Sequence, residues 1–257
     1  MQGAGGAERS LEGEIRGQLL GDRIPWSREG GAREPAGSNG GSGLRGDQAG
    51  RVLYASSQIA IEVLIAADPD IAAHCEDVEI LVGRLCKRLG IRGEERRQIE
   101  VAGRLHDIGK IAMPRRLLDK PGPLDDAERE LIRHHTLLGE RILSQVPELQ
   151  PVATLVRHSH EHFDGSGYPD GLRGDEIPFG SRIILCADAF QAIRSDQPHR
   201  VGRRTREALA EIEANSGSQF DPSVVIALSN VVARARRADD RWMPRRFPAL
   251  VADPTAS

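Results

Sequence analysis

The sequence predicts an all-α fold, in which several helices pack as a bundle around one core. Apolar residues recur at intervals of three and four residues through most of the chain after Val52. We find no convincing alternation of period two, the pattern that is typical of half-buried strands. Gly, Pro and Asp residues stand between the helical segments, where helices begin and end. These three observations favour a multi-helix bundle over a mixed or all-β fold.

The first predicted helices carry clear boundary signals. In the first helix, Ile59, Val63 and Ala66 form the stripe that we expect to face the core. Asp68-Pro69 predicts the start of the second helix, and Gly90 predicts its end. The inward stripe of this second helix consists of His74, Val78, Leu81, Leu85 and Leu89. The third helix is predicted over 94–108, so that His106 and Asp107 close it.

The rest of the folded chain alternates between helices and loops rich in Pro and Gly. A loop is predicted over 114–124, and Asp125-Asp126 begins a helix with an inward stripe of Leu131, His135, Leu138 and Ile142. Pro147 interrupts this helix, and Val152, Val156 and His160 share one face of the next. A second loop is predicted over 163–178. Further helices are predicted over 181–193, 205–215 and 222–236.

The domain organisation follows from the distribution of glycine. Residues 1–50 hold 14 of the 28 glycines and few apolar residues. Such a segment buries too little to offset the entropy of ordering, so we expect it to be disordered. We expect a folded domain over 51–238 and a loose C-terminal tail over 239–257.

The composition argues against several classes of protein. No stretch comes near the roughly 20 apolar residues that a transmembrane helix needs, and the N-terminus lacks a signal pattern. Cys75, Cys86 and Cys186 form no CxxC pair. A net charge of -3 and 4% aromatic residues give no reason to expect DNA binding. We therefore expect a cytoplasmic protein that binds neither DNA nor a membrane.

Titratable residues recur on the predicted apolar faces. Six of the eight histidines fall within the 57 residues from His106 to His162. The residues expected to point inward are His74, His106, Asp107, His135, His160 and Asp188. A buried carboxylate or imidazole is costly unless it is paired or coordinated. Several such groups on different helices therefore indicate one shared polar centre.

A centre of imidazoles and carboxylates is a known metal-binding design in helical bundles. This donor set, without thiolates, suits iron, manganese or zinc better than copper(I) or an iron–sulfur cluster. His106 and Asp107 are adjacent, so their side chains point about 100° apart on a helix. One can then bind a first metal while the other bridges to a second. Two metals would generate a hydroxide and clamp a phosphoryl group.

Four segments resemble HD-GYP domains, a family within the HD superfamily of metal-dependent phosphohydrolases. "HDIGK" at 106–110 resembles the HD motif, and "HSHEHFDGSGYPDGLRGDEIP" at 158–178 resembles the HHExxDGxGYP signature. "RIILCADAFQAI" at 182–193 and "SQFDP" at 218–222 resemble the segments that follow in that family. The HD pair alone is a weak signal, whereas the GYP loop at this spacing is highly specific. The resemblance covers roughly residues 68–232.

The resemblance implies a helical bundle with two or three divalent metal ions, iron or manganese, and a loop rich in Gly and Pro beside them. It implies hydrolysis of cyclic di-GMP to pGpG or GMP by a metal-bound hydroxide, with Asp107 and Lys110 as catalytic residues. The implied metal ligands are His74, His106, Asp107, His135, His160 and Asp188, with Asp70 as a ligand of a third ion. Lys110, Gly167, Tyr168, Pro169 and Arg200 would contact or shape the substrate.

The sequence departs from the family pattern at four positions. Ser159 replaces the first histidine of HHE, and Gln191 replaces an acidic residue one turn after Asp188. Gln197 and His199 replace an arginine and a tyrosine. A glutamine cannot form the charged fork that binds phosphate. Two alternatives stay open: a degenerate domain that regulates by binding a nucleotide or a signalling protein, and an HD hydrolase of another phosphorylated nucleotide.

Overall fold

The structure is a computed structural model that describes residues 42–196 and 201–237. The chain divides into two compact units, residues 1–52 and 53–257, and the site discussed below lies in the second. Predictions for residues 1–41, for Gln197, His199 and Arg200, and for residues 238–257, which include the whole predicted tail, fall outside the described residues. The domain boundaries at 51 and 238 stay predictions, although the first described helix already begins at Ser42.

The described residues form helices joined by loops. The α-helices are α1 (Ser42–Ala67), α2 (Pro69–Leu89), α3 (Gly93–Leu105), α4 (Arg115–Leu118), α5 (Asp126–Arg133), α6 (His135–Leu143), α7 (Gln150–Arg157), α8 (Phe179–Arg194), α9 (Thr205–Ala214) and α10 (Pro222–Arg237). Short 3-10 helices cover Ile108–Ala112, Pro147–Leu149 and Gly174–Glu176. Apart from an isolated bridge between Ser216 and Phe220, these residues contain no β-structure. The predicted all-α fold is confirmed.

Helix α1 buries a different face from the predicted one. Ile59 is 70% exposed and Val63 is 47% exposed, and Ala66 is exposed as well. The prediction that this stripe faces the core is therefore wrong. Leu53 and Leu64 lie on the buried face instead. Both stripes fit the helical period, and spacing alone cannot tell which of two apolar stripes packs.

Part of α1, Gly50–Ala67, is long and apolar enough to cross a membrane when length and composition alone are considered. This finding corrects the expectation that no stretch comes near the required length. Core helices of soluble proteins and signal sequences meet the same criterion, so the helix is weak evidence for a membrane span.

Helix α2 has the boundaries that its sequence predicts. The carboxylate of Asp68 accepts hydrogen bonds from the backbone N–H groups of Asp70 (3.1 Å) and Ile71 (3.0 Å), so it caps the first turn. Gly90 ends the helix with a φ of 80°, in the left-handed conformation that favours glycine. These two local signals fix where His74 stands along α2.

Three helices end earlier than predicted, and each early end lies beside a titratable residue. Helix α3 stops at Leu105, so His106 and Asp107 lie in the turn before the 3-10 helix. The helix predicted from Asp125 splits into α5 and α6 at His134, and α7 stops at Arg157. His160 therefore lies in the turn after α7 rather than on it.

The core is shared by the longest helices. Helix α2 packs against α3, α8 and α10, and α3 packs against α7. Helix α8 is buried around most of its circumference, with Ile183, Ile184, Cys186, Ala187 and Phe190 fully enclosed. Because α2, α3 and α8 share one core, the polar side chains that they direct to one point are held by rigid packing.

Candidate metal centre

Three elements bring together the first part of the centre. The Nε2 atom of His74 on α2 lies 2.9 Å from Oδ1 of Asp188 on α8. The Nε2 atom of His106, at the end of α3, lies 3.7 Å from the same Asp188 oxygen. His74, His106 and Asp107 each offer one ligand atom, and these atoms lie within 4.8 Å of one another. We call His74, His106 and Asp188, with the shared Asp107, the first half of the centre.

A second set of residues approaches Asp107 from the other side. The Nε2 atom of His135, the first residue of α6, lies 3.4 Å from Oδ1 of Asp107. The ring of His160 lies 4.9 Å from the ring of His135. Asp107, His135 and His160 also offer ligand atoms within 4.8 Å of one another. We call His135 and His160, with the shared Asp107, the second half of the centre.

Asp107 belongs to both halves, and Lys110 accompanies it. The Nζ atom of Lys110 donates to Oδ2 of Asp107 over 2.6 Å. Burial by itself would raise the pKa of Asp107, but the charge on Lys110 and the neighbouring imidazole of His106 hold that pKa well below its usual range. Asp107 is therefore ionised, as a carboxylate that bridges two cations must be.

Unpaired ligand atoms converge at the centre. Among the described residues, His106 Nε2, Asp107 Oδ1, His135 Nε2 and His160 Nε2 are buried and have no hydrogen-bond partner. Leaving several such atoms buried and unpaired is costly, so they call for a group that the polypeptide does not supply. The donor set of imidazoles and carboxylates fits divalent iron, manganese or zinc.

His106 and His135 are in the tautomer that metal binding needs, and His135 and His160 are in the required charge state. The Nδ1 atoms of His106 and His135 donate to the carbonyl oxygens of Gly103 (2.9 Å) and Ile132 (2.7 Å), which leaves the lone pair on Nε2. Burial lowers the pKa of His135 to about 4, and it lowers the pKa of His160 to about 3. Both rings are therefore neutral near pH 7 and can act as ligands.

The loop that contains Gly167, Tyr168 and Pro169 lies directly over the second half. The ring of Tyr168 is parallel to the ring of His160, with the two centroids 5.1 Å apart. A Cβ atom at Gly167 would lie 2.1 Å from the backbone nitrogen of His162, so only glycine fits this approach. The predicted mouth residues are thus beside the centre, with Tyr168 against one of its imidazoles.

Glu161 is a buried residue of this region to which the sequence analysis gave no role. Its carboxylate accepts hydrogen bonds from the backbone N–H groups of Asp170 (2.7 Å) and Leu172 (3.1 Å). The side chain of Asp170 in turn accepts from Arg157 and contacts His158. These bonds join the loop to the end of α7. The only signal in the sequence was an acidic residue between two histidines. That signal does not reveal what Glu161 binds, because its hydrogen-bond partners lie nine and eleven residues further along the chain.

Several predicted or noted residues belong to neither ligand group. Asp70 is exposed on α2 and belongs to neither ligand group, so its role at a third ion stays a prediction. The hydroxyl of Ser159 donates to Val156 O over 2.8 Å. His158 lies 3.0 Å from the carboxylate of Asp170, and Gln191 donates to Asp77 O over 3.1 Å. His158 is therefore engaged with Asp170 and belongs to neither ligand group.

Comparison with known proteins agrees with this geometry. The family model described as "HD domain" matches residues 58–224. The chain is 42% identical over 162 residues to a cyclic di-GMP phosphodiesterase of Thermotoga maritima, a match that covers 62% of this chain and 44% of the relative. It is 40% identical over 163 residues to the cyclic di-GMP phosphodiesterase response regulator RpfG of Xanthomonas campestris pv. campestris, covering 63% of this chain and 43% of the relative.

A third relative is named for a different substrate. The chain is 35% identical over 171 residues to a 3'3'-cGAMP-specific phosphodiesterase of Vibrio cholerae, covering 66% of this chain and 37% of the relative. The matched region is less than half the length of each of these three relatives.

Two solved structures share the fold. A cyclic GMP-AMP specific phosphodiesterase of V. cholerae aligns with a TM-score of 0.54 at 20% identity, covering 70% of this chain and 49% of that one. An HDGYP protein of Bdellovibrio bacteriovorus aligns with a TM-score of 0.54 at 20% identity, covering 73% and 62%. Since the HD domain model matches well over half of the chain, the resemblance found in the sequence is confirmed, and the chain belongs to the HD domain family.

Proposed function

We propose that this chain is a metal-dependent phosphodiesterase that hydrolyses cyclic di-GMP to pGpG or GMP. The single observation that carries the proposal is the pair of ligand groups that share Asp107, in which the buried Nε2 atoms of His106, His135 and His160 have no hydrogen-bond partner. An ionised carboxylate between two sets of imidazoles is the arrangement that a two-metal hydrolase needs. The names of two curated relatives support cyclic di-GMP as the substrate.

The metal ligands are proposed as His74, His106, Asp107, His135, His160 and Asp188. Iron or manganese bound there would supply Lewis acidity and an activated water for attack on a phosphodiester. Two ions are proposed at these residues, and Asp70 is proposed as a ligand of a third.

Residues of the chain itself would support the attack on the phosphodiester. Lys110 holds Asp107 in its ionised form and carries a positive charge that is 26% exposed beside it. Such a charge stabilises the negative oxygens of a phosphodiester as they gain charge during attack. The loop around Tyr168 covers His160 and limits access of water from that side. We therefore assign Asp107 and Lys110 as the catalytic residues and Gly167, Tyr168 and Pro169 as the walls of the substrate mouth.

A second candidate substrate has its own support. Another curated relative is named as specific for 3'3'-cGAMP, and the two cyclic dinucleotides differ in a single base. The metal centre acts on the phosphodiester, so it does not choose between bases. Cyclic di-GMP and 3'3'-cGAMP should therefore be assayed side by side.

The test is turnover by protein that is purified without oxygen and loaded with iron or manganese. Cyclic di-GMP and 3'3'-cGAMP are followed by chromatography, and the metal content is measured in the same sample. His135→Ala should abolish turnover, whereas His134→Ala should retain it, because the His134 ring bonds to Glu130 O instead of facing the centre. Metal-loaded protein that hydrolyses neither nucleotide would overturn the proposal and favour a regulator that binds nucleotide or a signalling protein.

A further inference from the structure

Arg133 lies next to the metal centre, and nothing so far gives it a role. It is the last residue of α5, two positions before His135. Its guanidinium carbon lies over the ring of Tyr168, 5.2 Å from the ring centroid. The same ring is stacked on His160. Arg133 is therefore connected to the second half of the centre through one aromatic side chain.

The guanidinium of Arg133 is accessible, and its ion pair with Glu130 is weak. The side chain is 51% exposed, and its ion-pair partner Glu130, at 3.2 Å, is 62% exposed. An exposed pair three residues apart on a helix contributes little, because both charges are well solvated. A ligand that offers a stronger acceptor can therefore take over the guanidinium at little cost.

The positive charge of Arg133 reaches the mouth of the site. Burial and the carboxylates of Asp107 and Asp188 raise the pKa of Tyr168, and the charge on Arg133 acts in the opposite direction. Burial lowers the pKa of His162, and Arg133 contributes to that lowering. Arg133 thus places a half-exposed cation against the ring of Tyr168, whereas Lys110 is hydrogen-bonded to Asp107 inside the centre.

A cyclic dinucleotide carries two phosphodiesters on opposite sides of its ring. When one of them is held at the metal centre beside Lys110, the other must lie outside it, toward the mouth. Arginine is suited to such a group, because its planar fork of N–H donors matches two phosphate oxygens. The bond to Asp107 keeps the ammonium group of Lys110 beside the metal centre, so Lys110 is placed for the phosphate that lies there and not for the second one.

We propose that Arg133 binds the second phosphodiester of the substrate, the one that is not being cleaved. This inference rests on the proposed function and deepens it. Arg133 acts as a residue that selects substrates with two phosphates, and it takes no part in the bond cleavage itself. Its stacking on Tyr168 holds the guanidinium in place for that contact.

The test compares substrates with two phosphodiesters and with one. In Arg133→Ala, KM for cyclic di-GMP should rise about 10- to 100-fold, the range expected for a lost charge-assisted hydrogen bond, while kcat stays within about twofold. The kinetic constants for bis(p-nitrophenyl) phosphate, which has a single phosphodiester, should be unchanged. Calorimetry with the bis-phosphorothioate analogue of cyclic di-GMP should show the same fold-loss in affinity without turnover.

The matched control is Arg129→Ala, one turn earlier on α5. Arg129 is equally exposed and pairs with Asp126, so the substitution removes the same charge without touching Tyr168. It should leave KM for both substrates unchanged. Arg133→Lys should recover part of the affinity, because the charge remains but the fork is lost. In wild type, KM for cyclic di-GMP should rise with salt more steeply than in Arg133→Ala.

The outcomes separate this inference from the proposed function. Wild-type protein that hydrolyses bis(p-nitrophenyl) phosphate but neither binds nor hydrolyses a cyclic dinucleotide would overturn both. Wild-type turnover of cyclic di-GMP with an unchanged KM in Arg133→Ala would overturn only the role of Arg133. Equal losses on both substrates would also overturn it, since Arg133 would then act by supporting Tyr168 and His160.

Discussion

The two halves of the centre share Asp107 but are built differently. The first half has a carboxylate of its own, because Asp188 lies 2.9 Å from His74 and 3.7 Å from His106. The second half has two imidazoles and no carboxylate besides Asp107. Its histidines come from the start of a helix and from a turn, whereas His74 and Asp188 lie within long, packed helices.

The two halves therefore differ in the number of protein groups that could bind an ion. The first half consists of four protein groups, and the second half consists of three. Ser159, next to His160, turns its hydroxyl toward Val156 O and adds no ligand. Catalytic metal sites keep positions open for water or substrate, whereas structural sites close them. If each half binds one ion as proposed, we expect the first half to hold its ion more tightly and the second half to be the more open site.

The largest effect is expected from removing Asp107, the residue that both halves share. Asp107→Ala should release both ions and reduce turnover roughly 1,000-fold or more, because neither half keeps a bridging carboxylate. Elemental analysis of the purified variant, alongside the turnover assay, measures both effects. Retention of both ions would show that Asp107 does not join the two halves.

The next test removes one histidine from each half. His74→Ala should release the first-half ion and His160→Ala the second-half ion, so each variant should retain about one ion per chain. Titration of metal into the emptied protein then gives the affinity of the remaining site. We expect the site left in His160→Ala to bind more tightly, because it keeps Asp188.

The contrary result for these variants is equally informative. Loss of both ions in His160→Ala, with only one lost in His74→Ala, would make the second half the tighter site. His134→Ala is the matched control, since its ring bonds to Glu130 O and its loss should leave two ions bound.

A smaller effect is expected from the contact that sets the spacing between Asp107 and His135. A Cβ atom at Gly109 would lie 1.9 Å from His135 O and 2.7 Å from the nitrogen of Gly139. Gly109→Ala must therefore move the 3-10 helix away from α6, which should cost about 1–3 kcal/mol of folding free energy. Thermal unfolding without metal measures that cost.

The same variant also tests the second half. Because Gly109 lies between Asp107 and Lys110 in the sequence and against α6 in space, its displacement should weaken metal binding in the second half more than in the first. A stability loss with unchanged affinity at both sites would show that the centre tolerates movement of this element.

The sequence predicts the fold class and most helix starts because those signals are local. Asp68-Pro69 and Asp125-Asp126 each begin a helix as expected, since a carboxylate caps the exposed N–H groups of the first turn. Helix ends beside His106, His134 and His158 were not predicted. Those ends depend on contacts with other elements, such as the close approach of Gly109 to α6.

The sequence also predicts which residues come together at the centre, but not how each one is oriented. The inward positions of His74 and Asp188 follow from helical spacing. The contacts of Glu161 and Arg133 depend on a loop that returns over the second half. The path of such a loop cannot be predicted from the periodicity of apolar residues. The stripe on α1 shows the same limit, since Ile59 fits the spacing and is nevertheless 70% exposed.

The smallest effect is expected from a substitution that adds a metal ligand to the second half. Ser159→His should raise the affinity of the second-half ion about 10-fold, within the range that a change beside a metal ligand produces. The cost is the hydrogen bond to Val156 O and the space that a buried serine occupies, since Ser159 is only 1% exposed. Ser159→Ala loses the hydrogen bond without adding a ligand, so its metal affinity should equal that of wild type.

An affinity that rises equally in both halves, or only in Ser159→Ala, would contradict the inference that the second half is short of one ligand. A gain confined to the second half, with slower turnover, would show that the open position is used by water or substrate and that Ser159 keeps it open.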